Sequence, residues 1–63
     1  MSETVKIWIK ELFEKEINET NGAIKNEHLW ELGYNGEEPN PHTQNIETLT
    51  EYLEYLKEKL NEI

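Results

Sequence analysis

Apolar side chains recur at Ile46, Leu49, Leu53, Leu56, Leu60 and Ile63, with gaps of three, four, three, four and three. That is the a/d spacing of a heptad, and it predicts a helix with one narrow apolar seam. A lone helix cannot bury such a seam, so another part of the chain, or another copy of it, must cover it. A second amphipathic stretch opens the chain. Val5, Trp8, Ile9, Leu12, Phe13 and Ile17 follow at steps of three and four or side by side, an apolar face wide enough to touch two neighbours. Ser2 is placed to cap this first helix, Glu3 sits favourably in its first turn, and Glu11 and Lys15 are spaced as an outward i,i+4 pair.

Thr20, Asn21 and Gly22 interrupt the helix propensity, and Asn-Gly is a turn signal. The apolar phase nonetheless carries on from Phe13 and Ile17 through Asn21 to Ile24, His28 and Leu32, which favours one continuous helix over a break. Gly33 reads as its C-cap. From Tyr34 to Pro41 the chain is loop: two prolines within three residues oppose helix there, and Asn35-Gly36 permits positive φ. His42 or Thr43 then opens the last helix, with Thr43 as the simplest N-cap.

The expected architecture is a single all-α domain over residues 1–63. It is an antiparallel hairpin with a helix at about 3–32, a loop at 34–41 and a helix at about 43–62. At a rise of about 1.5 Å per residue the first helix is roughly 45 Å long and the second roughly 30 Å. A third of the long helix, including Val5, Trp8 and Ile9, is thus expected to lack an intrachain neighbour. Two copies packed as a four-helix bundle would cover it, so a homodimer or higher homo-oligomer is expected. A three-helix monomer, broken near Gly22, is the alternative.

Composition narrows the functions. All fourteen acids are Glu, all six bases are Lys, and the formal net charge is −8. Direct binding to nucleic acid or to anionic membranes needs a basic footprint, which this chain lacks. A basic protein partner fits the charge. There is no cysteine, and no apolar run approaches a membrane span or a leader's h-region, so a cytoplasmic protein is expected. The seven Asn, the six Ile and the absence of Arg resemble an AT-rich coding sequence, as in low-GC bacteria and their phages.

Candidate chemistry is sparse. One Ser, at position 2, and no Cys, Asp or Arg leave nothing to build a triad, a phosphate clamp or an Asp dyad, so a non-enzymatic protein is expected. His28 with Glu31 has a spacing a metal could use, and Glu38 and His42 flank the prolines, but one pair per chain falls short of the sets found in bundle cores. No metal or cofactor is assigned. Trp30, Tyr34, His42, Thr43, Gln44 and Asn45 gather aromatic rings at a helix N-terminus, where free N–H groups favour anions. They form the alternative ligand site, a sponge for a small nucleotide.

The strongest functional feature is an acidic ridge. Glu47, Glu51, Glu54, Glu58 and Glu62 occupy outer heptad positions b, c and f, with neighbours about 5–6 Å apart on the helix surface. Lys57 and Lys59 fall at e and g, beside the seam, and leave the ridge acidic. Such a row can imitate the phosphates of a nucleic acid, although an ordinary solvated helix face is also rich in Glu. Tyr52 and Tyr55, at g and c, extend the packing surface, and with Trp8 and Trp30 are the expected hot spots for a partner.

The run Ile24-Lys25-Asn26-Glu27-His28-Leu29-Trp30-Glu31-Leu32-Gly33, the proline-rich loop, and Pro41-His42-Thr43-Gln44-Asn45-Ile46 resemble small acidic helical proteins of phages and prophages of low-GC Gram-positive bacteria. The resemblance implies a mobile-element setting and no particular activity. The expected function is a protein-interaction module, a phage-encoded inhibitor of a host defence or DNA-handling protein. The nucleotide sponge and a structural or regulatory adaptor are the alternatives.

Overall fold

The computed structural model describes all 63 residues, folded as two antiparallel helices, α1 (Glu3–Leu32) and α2 (Pro41–Glu62), joined by a loop. No break occurs at Gly22, which rules the three-helix arrangement out of this structure. α1 is one run of 30 residues. Its N-terminus is capped as the sequence indicates, with Val5 N–H donating to Ser2 Oγ at 3.2 Å. Gly33 ends it, donating to the Leu29 carbonyl at 3.3 Å. The Glu11–Lys15 pair does not close to ion-pair distance; the bridge in this half of α1 is on its first turn, Lys6 to Glu3, at 3.5 Å.

α2 starts two residues earlier than the pattern of prolines implied. Pro41 is its first residue, and the N-cap is Asn40, not Thr43. Proline is tolerated at this position because the first N–H of a helix has no intrahelical partner and its fixed φ already suits the helix. Asn40 Oδ1 accepts from His42 N–H at 3.0 Å, while Asn40 Nδ2 donates to the Glu31 carbonyl at 3.1 Å. One side chain therefore caps α2 and ties it to the last turn of α1. In the loop, Tyr34 Oη donates to the Glu37 carbonyl at 2.7 Å. No glycine adopts positive φ. Gly36 is needed for space instead, since a Cβ there would run into the Tyr34 ring.

The register differs from the one the helix lengths implied. His42 reaches Glu27 and Tyr52 reaches Glu16, so ten residues forward on α2 match eleven back on α1. The same step carries Ile63 to about the level of Thr4 or Val5, and Ile63, Lys6 and Ile9 are all half-buried. The N-terminal third of α1 is therefore accompanied by α2 along its length. The surplus lies at the loop end, where Leu29 and Leu32 project into solvent.

The seam of α2 faces α1 as its spacing requires. Leu53 and Leu56 are buried, and Ile46, Leu49, Leu60 and Ile63 are half-buried. On α1 the inward line is not the one through Asn21, His28 and Leu32, which are all exposed. It runs through Ile9, Phe13, Ile17, Thr20, Ile24, Glu27 and Glu31. From Phe13 on, this is an unbroken alternation of four and three, with a polar residue at three of its positions. Thr20 is the most deeply buried polar residue, and its hydroxyl donates to the Glu16 carbonyl at 2.8 Å, so no buried group lacks a partner.

Candidate acidic face and loop-end cluster

The five ridge carboxylates stand on the side of α2 turned away from α1, and all are exposed. Each step of three or four residues returns the helix to nearly the same face, so Glu47, Glu51, Glu54 and Glu58 form a continuous row. None of these four has a cation within ion-pair distance. Glu62 does: Lys59 Nζ lies 3.3 Å from its carboxylate, so the last member of the ridge is partly neutralised. Lys59 also sits over the Tyr55 ring, 5.5 Å from its centroid.

The residues of the alternative ligand site are partly brought together. His42 packs between Trp30 and Tyr34, with ring centroids 5.9 and 6.1 Å away. The polar groups that would hold an anion are already engaged by α1. His42 Nδ1 lies 2.7 Å from Glu27 Oε2, and because a carboxylate only accepts, the ring donates. Asn45 Nδ2 donates to the same oxygen at 3.2 Å, and Thr43 Oγ1 donates to Glu31 Oε2 at 2.6 Å. α2 has no acid in its own first turn; α1 supplies two carboxylates to the positive end of the helix dipole. Gln44 is exposed on a shallow groove shared with Glu38, Asn40, Thr43 and Glu47, which has no basic residue. A phosphate arriving here would have to displace or face carboxylates.

The hydrogen bond from His42 holds the Glu27 carboxyl below the usual carboxylate range; burial opposes this, and the Asn45 donor and the charge of His42 add to it. Burial pushes the Tyr52 phenol above its ordinary value, reinforced by the bond its hydroxyl donates to Glu16 at 3.1 Å.

His28 is exposed, 3.7 Å from Glu31, and no three potential metal ligands gather anywhere in the chain. The Glu38–His42 spacing leads elsewhere, since Glu38 Oε2 accepts from Asn40 N–H at 2.9 Å and His42 turns to Glu27. Of Glu27 and Glu31, the centre of the loop-end cluster, the sequence offered Glu31 only as a metal-spaced partner of His28, and Glu27 not at all. Their signal was the strict four-three alternation from Phe13, which the neighbouring line through His28 and Leu32, one position on, had masked. No helix is long and apolar enough to cross a membrane. Comparison of the chain with protein-family models, curated proteins and solved structures gives no match.

Proposed function

We propose that this chain is a non-enzymatic protein-interaction module whose acidic α2 face engages a basic, nucleic-acid-binding surface on a partner protein. The observation that carries this reading is the one-sided row of Glu47, Glu51, Glu54 and Glu58, all exposed and none in an ion pair. An ordinary surface helix interleaves signs; this one places its lysines beside the seam and leaves the outward row negative. In the phage setting implied by the sequence resemblance, occupying such a surface makes the protein an inhibitor of a host defence or DNA-handling protein. The engagement of His42, Thr43 and Asn45 by Glu27 and Glu31 favours this reading over the nucleotide sponge.

Replacing Glu47, Glu51, Glu54 and Glu58 by Gln removes the charge while helix propensity barely changes and the seam is untouched. Protein captured from a host lysate by the wild type should be released by rising salt, because the contact is screened beyond about 8 Å at physiological ionic strength. Duplex DNA should compete for it, and the quadruple variant should fold but fail to capture it. Equal capture by the variant, or indifference to DNA, refutes the proposal.

A further inference from the structure

The two flanks of the hairpin differ in kind. Leu12, Phe13, Glu16, Tyr52 and Leu56 line one shallow groove, which places the Leu12 side of α1 and the Tyr52 side of α2 on the same flank. At about 100° per residue, Val5 and Trp8 fall on that side of α1, and Tyr55 on that side of α2. Val5 is 37% exposed, Trp8 60%, Leu12 67%, Tyr52 41% and Tyr55 52%. The same arithmetic gives the opposite flank Lys10, Glu14, Asn21 and His28 from α1, with Thr50 and Lys57 from α2, and two exposed aliphatics, Ile7 and Leu32, at opposite ends of α1. The aromatic side chains of the paired helices, Trp8, Tyr52 and Tyr55, thus gather on one flank, while the other is mostly polar.

We infer that the Trp8–Leu12–Tyr52–Tyr55 flank is covered by the same flank of a second copy, in a two-fold dimer of four helices. The area matches. A compact monomer of this mass exposes about 4,250 Å², whereas this chain exposes 5038 Å². The surplus of about 800 Å² is what each partner of a standard interface buries. The shape agrees: the radius of gyration is 15.2 Å over a body 51 Å long, against about 10.6 Å for a compact chain of this length. The patch carries both signs: Lys59 over Tyr55, and Glu16 in the groove with its bond from Tyr52, so a two-fold image can set a lysine of one copy against a carboxylate of the other. The acidic row lies on the far side of α2 and stays outside. Trp and Tyr are the side chains that carry most energy in such contacts.

Sedimentation equilibrium at micromolar concentrations tests this. The wild type should have the mass of two 7.5 kDa chains. Leu12→Glu should shift it to one chain, while Leu29→Glu, exposed on the side of α1 away from α2, should leave the dimer intact. A wild-type monomer, or a dimer that persists in Leu12→Glu, overturns the inference. Should Leu12→Glu fail to fold, the wild-type melting midpoint decides: a rise with protein concentration supports the dimer and a constant value overturns it. The acidic-face proposal does not depend on this outcome, because its readout is capture by the quadruple Gln variant.

Discussion

Leu56→Ala is the sharpest probe of how this hairpin holds together. Leu56 is 4% exposed and Leu53 9%, and no other apolar side chain is buried. Truncating a buried Leu to Ala costs about 2–5 kcal/mol, and the figure grows with the cavity left behind. Leu56 sits at the edge of a two-helix seam, where its neighbours can close partly on the gap, which puts the loss at about 2–3 kcal/mol. The whole domain is expected to hold about 3–9 kcal/mol. The variant therefore loses a large share, and its midpoint should fall by roughly 10–20 °C. Leu29→Ala makes the same chemical change at a side chain that is 66% exposed; it should stay within about 0.5 kcal/mol of wild type. Urea titrations followed by circular dichroism, at one fixed protein concentration, give both values. If the two substitutions cost the same, the seam is not where the stability resides and the register described above is wrong.

Other expectations can be checked by the same assay. Asn40→Ala loses both the α2 cap and the tie to Glu31 and should cost about 1–2 kcal/mol; Asn40→Ser, which keeps a cap acceptor, should recover part of it. Gly22→Ala should stabilise by about 1 kcal/mol, since the position is helical and a Cβ there meets nothing within 4 Å. The depressed Glu27 pKa favours the fold above the unfolded value of about 4.3, and that contribution is lost as pH falls through the folded pKa. Glu27→Gln should therefore flatten the acid side of the stability–pH profile, and an unchanged acid limb would refute the role given to the His42 bond.

The heptad of α2 was legible because each of its a and d positions from Ile46 on is apolar and no competing phase exists. The continuity of α1 was also legible, because the periodicity outlasts a Gly that costs only about 1 kcal/mol. The inward line of α1 was not. Where α1 meets the start of α2 the facing positions are Glu27 and Glu31, and hydrophobic patterning cannot register a polar side chain that is half-buried against His42, Thr43 and Asn45. Thr20 was missed for the same reason: its hydroxyl is satisfied by its own helix, so it packs like a small apolar residue. The Asn40-Pro41 start was hidden by treating proline only as a helix breaker. The ridge needed no tertiary information, since outer heptad positions follow from the seam alone.

The polar contacts at the loop end also explain how so small a seam sets a single register. A leucine repeat with steps of three and four looks the same after a shift of seven residues, so apolar packing alone would tolerate slippage between α1 and α2. Four side-chain pairs on three carboxylates remove that degeneracy: Glu27 with His42 and Asn45, Glu31 with Thr43, and Glu16 with Tyr52. Sliding α2 by one heptad would bring Leu49 to the position of His42 and leave a half-buried carboxylate against an aliphatic side chain, which is costly without a donor. Polar groups at seam positions are known to fix register at some expense in stability. Here they stand where the loop already fixes the chain direction. The purely apolar positions, from Phe13 and Ile17 to Leu53, Leu56 and Leu60, are then free to supply adhesion. The same division holds α2 at a defined rotation, and that rotation keeps Glu47, Glu51, Glu54 and Glu58 outward while Tyr52 and Tyr55 share a flank with Leu12.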